Sequence, residues 1–173
     1  ETRIIPYNDA AALERVLSAG DVAAFIVEPV MENIGICLPQ PGYLEQVRAI
    51  TRKYGTMLIF DEVKTGITAG WSGGSGTVGV QPDLVCFAKG VNSGYVPLGG
   101  VVISQKIADS FKDRVYPGGL TYSGHPLACA AAVASINIFK EEKIIERILT
   151  LELVRVTERA AVASARLRGD RKS

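Results

Sequence analysis

Three ionisable residues, Glu28, Asp61 and Lys89, each stand at the carboxyl end of an apolar run: Val22–Val27, Met57–Phe60 and Leu84–Ala88. A lysine at the end of a buried strand is an awkward structural choice, because an unpaired ammonium is costly to desolvate. A neutral amine in the same place can attack an aldehyde and form a Schiff base. Gly90 and the Asn92-Ser93-Gly94 turn leave room for another molecule to approach the backbone beside it. The plain structural alternative is a lysine that reaches from the strand end to solvent. Asp61 fits a site in which the aldehyde sits on a pyridine ring. A carboxylate facing the ring nitrogen keeps it protonated, and the ring then withdraws electrons from the reacting carbon. Val63 is small enough to lie flat against such a ring, although Asp61 and Glu62 also read as a pair of solvated turn residues. Thr121, Ser123 and Gly124 precede Pro126, so two hydroxyls and a glycine stand before a helix start, where a phosphate is readily held. Capping alone accounts for one of those hydroxyls. His125 is the sole histidine and reads as a packed or capping residue.

Alternating elements position these residues. Ala10–Ala19 carries Leu13, Val16 and Leu17 on one helical face and stops at Gly20, and Pro41-Gly42 opens a second helix through Tyr54. The apolar runs are of the kind found where both faces of a parallel strand are covered. Residues 65–79 hold six glycines and no apolar period, which predicts a loop. Leu98–Ile103 predicts a further strand, Ser104 a cap for a short helix toward Phe111, and Pro126 the first turn of an Ala-rich helix reaching Phe139. Another helix is expected from about Lys143. Strands alternating with helices give an α/β fold, a mostly parallel sheet with helices on both faces, in which ligands bind beyond the carboxyl ends of the strands.

The 173 residues are 47% hydrophobic and 21% charged with a net charge of +1, a globular composition that advertises neither nucleic acid nor an anionic membrane. Arginines 155, 159, 166, 168 and 171 with Lys172 make a basic tail, read as a solvated helix face. Cys37, Cys86 and Cys129 lack the spacing of a disulfide framework or a zinc site, so a reducing, cytoplasmic setting and no metal are expected. No apolar run approaches the ~20 residues of a membrane helix. The chain starts without Met and in what reads as mid-domain, as a fragment or processed chain would.

Four stretches in this order resemble the class-III, fold-type I, pyridoxal-phosphate-dependent aminotransferases. They are Ile26–Val30, Leu58–Gly66 (with Asp61-Glu62-Val63-Lys64-Thr65-Gly66), Pro82–Gly90, and Leu120–Ala128. The resemblance runs from about Val22 to about Glu142. It implies that this is part of the family's large domain, with 1–142 a partial pyridoxal-phosphate-binding domain and 143–173 a helical extension unlike the family. It further implies that Lys89 carries pyridoxal 5'-phosphate as a Schiff base and moves the substrate's proton, that Asp61 pairs with the pyridinium nitrogen, and that Val63 packs on the ring. Thr121 would bind the phosphate of a neighbouring subunit's cofactor, which makes the protein a homodimer with shared sites. Glu28 would lie near the cofactor's phenolic edge. Lys64 stands where many members have a glutamine that touches the 3'-oxygen.

The implied reaction moves an amino group from an amine or amino acid to a 2-oxo acid such as pyruvate. Asn92–Gly99 resembles the omega-amino-acid:pyruvate transaminases, whereas Glu28-Pro29-Val30 followed by Asn33 resembles the glutamate-1-semialdehyde aminomutases. The loop 67–78 lacks the family's Phe-Gly-Arg run. Segments that the family places before and after this region are absent from the sequence, so a catalytically incomplete fragment is a third expectation.

Overall fold

The structure, a computed structural model, describes residues 1–148 and 150. The strands β1 (Ala24–Val27), β2 (Met57–Asp61), β3 (Leu84–Phe87) and β4 (Gly100–Ile103) form a sheet in the order β1-β2-β3-β4. β1, β2 and β3 run parallel, and β4 pairs antiparallel to β3 with Phe87 opposite Gly100. The mostly parallel α/β architecture expected from the apolar runs is therefore present. The reversal of β4 follows from its connection. A parallel return is usually made through a crossover helix, whereas residues 88–99 hold only a 3-10 turn and bends that fold the chain back on itself.

One face of the sheet is packed by α1 (Ala10–Leu17) and α2 (Tyr43–Lys53). Leu13 and Leu17 from α1 and Tyr43, Leu44 and Val47 from α2 close over Val27, Leu58 and Phe60. Each such side chain contributes roughly 1.5–3 kcal/mol on burial. Asp9 caps α1 by accepting from Ala12 N at 2.8 Å, and Gly42 starts α2 from a left-handed φ of 80°. Because successive side chains alternate, Met57, Ile59 and Asp61 point to the opposite face. That face is thinly covered among the described residues, with Ile26 58% exposed and Met57 47% exposed.

The glycine-rich stretch departs from the expected loop. It folds into two short helices, α3 (Thr65–Thr68) and α4 (Gly73–Val78), for a reason that lies outside the stretch itself. Ser104 does stand at the N-cap position of α5 (Gln105–Asp109), but its hydroxyl makes no capping bond and is buried without a partner among the described residues. Pro126 occupies the first turn of α6 (Pro126–Glu141) as expected. Lys143 adopts a φ of 51° after α6, and residues 144–148 are again helical. The rest of the expected tail helix, with its basic cluster, lies outside the described residues.

Candidate active site

The parallel register brings two of the three strand-end residues side by side. Val27 pairs with Phe60, so Glu28 and Asp61 are the next residues along adjacent strands. Neighbouring strands lie about 4.8 Å apart. Asp61 in turn is opposite Cys86, three residues before Lys89. Burial, and after it the Asp61 carboxylate, holds the Cys86 thiol above its ordinary value. All three candidates thus sit at the same end of the sheet.

Their side chains are differently employed. Asp61 is half-buried and accepts one hydrogen bond at Oδ1, from Val63 N at 3.1 Å; Oδ2 has no partner among the described residues. That bond also fixes Val63 beside the carboxylate. Lys89 follows β3 as the first residue of a 3-10 turn, Lys89–Asn92. Its φ is 45°, the left-handed region that L side chains rarely adopt. Its amine is exposed and makes no hydrogen bond or ion pair among the described residues. Glu28 is already committed: its carboxylate accepts from Glu32 N at 3.1 Å and from Asn33 Nδ2 at 3.2 Å, which shapes the loop after β1. Lys64 is half-buried at the N-cap position of α3, where its carbonyl accepts from Thr68 Oγ1 at 2.7 Å.

Thr121 lies farther along, exposed, in the turn before α6. Ser123 N donates to Leu120 O at 3.0 Å and Gly124 has a φ of 67°, so this turn presents its threonine hydroxyl outward. His125 takes the N-cap position without a side-chain bond. A cavity of about 890 Å3 opens beside the outer edge of β1. Glu28 and Asp61 line it together with residues 1–7, whereas Lys89 and Thr121 do not. Tyr7 fastens that amino-terminal segment by donating to Pro29 O at 2.9 Å.

Two residues shape the site without having been singled out from the sequence. Glu62 is not a solvated turn residue; it is 1% exposed. Its Oε2 accepts from Gly74 N and from Thr65 Oγ1, and its Oε1 accepts from Ser75 N at 2.9 Å. The carboxylate therefore satisfies the free amides at the start of α4, which is why the glycine-rich stretch is helical. Gly73 must be glycine here, because a Cβ would collide with Glu62 and its φ is 63°. The second residue is Asn92, 1% exposed, read from the sequence only as part of a turn. Nothing local announces either role, since the partners lie 12 and 36 residues away.

The α/β sheet thus places a lysine and a half-buried aspartate, each with a polar atom unpartnered among the described residues, at neighbouring strand ends. The aminotransferase class-III family matches residues 4–162, and the chain belongs to that family. It is 43% identical over 149 residues to the omega-aminotransferase of Caulobacter vibrioides, covering 81% of this chain and 34% of that protein. It is 45% identical over 139 residues to the glutamate-1-semialdehyde 2,1-aminomutase of Methanoregula boonei, covering 79% and 33%. The acetylornithine aminotransferase of Elizabethkingia anophelis superposes with a TM-score of 0.82 at 37% identity, covering 93% of this chain and 42% of that one. The chain spans about a third of the length of the curated relatives it matches. The family depends on pyridoxal 5'-phosphate. Its match reaches past Glu142, where the motif resemblance stops. Among the described residues no group of histidines, cysteines or acids could hold a metal, and no helix is long and apolar enough to cross a membrane.

Proposed function

We propose that this chain supplies the lysine and the ring-nitrogen partner of a pyridoxal-phosphate-dependent transaminase, which moves an amino group from an amine or amino acid to a 2-oxo acid such as pyruvate. The observation that carries the reading is the placement of Asp61 and Lys89 at adjacent strand ends, each with a polar group unpartnered among the described residues. The residues present fit the cofactor. Asp61 has an oxygen to spare for a pyridinium N–H, Val63 is pinned next to it, and Lys89 has an uncommitted amine. When bound, pyridoxal phosphate supplies an electron sink for the carbon that loses its proton. Lys89 Nζ would attach the cofactor and then carry the proton away from the donor's alpha carbon. Asp61 would keep the ring nitrogen protonated throughout. Lys64, from the start of α3, would donate to the 3'-oxygen, and the Glu28–Asn33 pair would shape the substrate side.

We assign Thr121 to the phosphate of a second copy's cofactor. Support comes from its exposed setting between Leu120 and Tyr122, each 81% exposed, an apolar rim that a homodimer would cover. The three cysteines are free thiols, which suits a reducing, cytoplasmic compartment.

Glu28-Pro29-Val30 followed by Asn33, together with the similarity to a glutamate-1-semialdehyde aminomutase, supports a second reading, intramolecular amine transfer of the semialdehyde-aminomutase type, which uses the same Lys89 and Asp61. Incubating the full-length protein with an amine donor and pyruvate separates the two. A transaminase consumes pyruvate stoichiometrically with the donor. A mutase converts its semialdehyde with no net keto-acid loss, and an absence of both activities contradicts either assignment.

A further inference from the structure

The left-handed backbone of Lys89 needs an explanation in packing. A non-glycine residue rarely adopts this region and persists there only where its surroundings over-determine it. Ser93, at the other end of the same 3-10 turn, is left-handed as well, with a φ of 48°. The turn is wedged between two elements. On one side a Cβ at Gly90 would stand 3.6 Å from Ile67 in α3. On the other, Ser93 Oγ and Ser135 Oγ of α6 share a hydrogen bond of 2.7 Å.

Asn92 is the buried fastening on the α6 side. Its Nδ2 donates to Val96 O, just beyond the turn, and to Ala128 O in the first turn of α6 at 3.4 Å. Both partners are carbonyl oxygens, so only the amide's NH2 can serve them. Its Oδ1 is buried and has no partner among the described residues. An orphaned buried acceptor is destabilising, and an apolar residue would avoid it. What this position uses is therefore the donor.

Resting on the function proposed above, we infer that Asn92 is a positioning residue for Lys89: its amide clamps the lysine's turn to α6 and holds the lysine backbone in its left-handed conformation, ready for the cofactor's aldehyde. The clamp ties the lysine's turn to α6, while Gly90 of the same turn lies against α3, so the turn sits between two segments of the candidate site. α3 continues from Asp61–Lys64, the turn begins at Lys89, and α6 follows Thr121.

The test uses the full-length protein stripped of cofactor. Adding pyridoxal 5'-phosphate lets Lys89 Nζ bond to the aldehyde carbon with release of water, and the rate at which the visible absorbance grows reads lysine placement. Pyridoxine 5'-phosphate, which has an alcohol in place of the aldehyde, reads the remainder of the site without the lysine. Asn92→Asp, of the same shape but without the donor, is expected to slow band formation about tenfold while pyridoxine-phosphate affinity stays within about twofold. Asn92→Thr, whose hydroxyl can still donate, should recover most of the rate. If Asn92→Asp does not fold, Asn92→Ala and Asn92→Ser form the donor-free and donor-bearing pair with the same expectation. Rate and affinity falling together, or neither falling, overturns the inference. A wild-type protein with no band beyond that of Lys89→Ala overturns the cofactor reading itself.

Discussion

Asp61 and Glu62 are neighbours with opposite assignments, and strand alternation decides between them. Asp61 turns away from the Leu58 and Phe60 core with one oxygen free, while Glu62 is buried and spends both oxygens on α3 and α4. Asp61→Asn should therefore leave cofactor binding largely intact and lower kcat at least about 100-fold, the scale of losing one preorganised electrostatic partner. A variant that keeps full kcat would remove Asp61 from the chemistry. Glu62→Gln should instead lower stability by about 1–3 kcal/mol in urea unfolding, because a neutral amide cannot serve both Gly74 N and Ser75 N as acceptor. The strand-end place of Asp61 was legible from the sequence because the apolar run Met57–Phe60 stops immediately before it. Glu62 was not, since its partners arrive only when the chain folds back 12 residues later.

At the scale of elements, Asp83 ties three of them together. It binds Arg48 of α2 through two bonds of 2.7 and 3.0 Å and accepts from Leu58 N of β2 at 2.8 Å, immediately before β3 begins. The Arg48 hydrogen bond holds the Asp83 carboxyl below its ordinary value. The unfolded chain thus takes up this proton first as pH falls through about 4. The stabilisation is complete above that pH and is lost as pH drops through the lower folded value. Asp83→Asn should cost about 2 kcal/mol at neutral pH, and the gap to wild type should narrow between pH 5 and pH 3 in urea titrations. A constant gap would show that the ion pair is not the source. Helices α1 and α2 and the first three strands were legible as apolar periodicity bounded by glycine and proline. The direction of β4 was not, because a hydrophobic run has no polarity. Nor were α3 and α4, whose glycines carry no periodicity and whose capping group lies outside them.

On the scale of the whole molecule, the chain holds one strand-end constellation and one packed face of a sheet, about a third of the length of its relatives. The opposite face, where Asp61 points, exposes Ile26, Met57, Val101 and Ile103. Thr121, proposed to serve a second subunit, is exposed in the turn before α6. Mixing Lys89→Ala with Thr121→Ala should then restore one site per mixed dimer that holds both the lysine and the threonine, whereas sites formed within one subunit would leave none. The central claim, that Lys89 carries the cofactor, is tested most directly by adding pyridoxal 5'-phosphate to the full-length protein, reducing with borohydride and locating the modified peptide by mass spectrometry. The account predicts a visible band that reduction bleaches and a single phosphopyridoxyl group on Lys89, both abolished in Lys89→Ala; a band that survives in that variant, or a label on Lys64 instead, would contradict it.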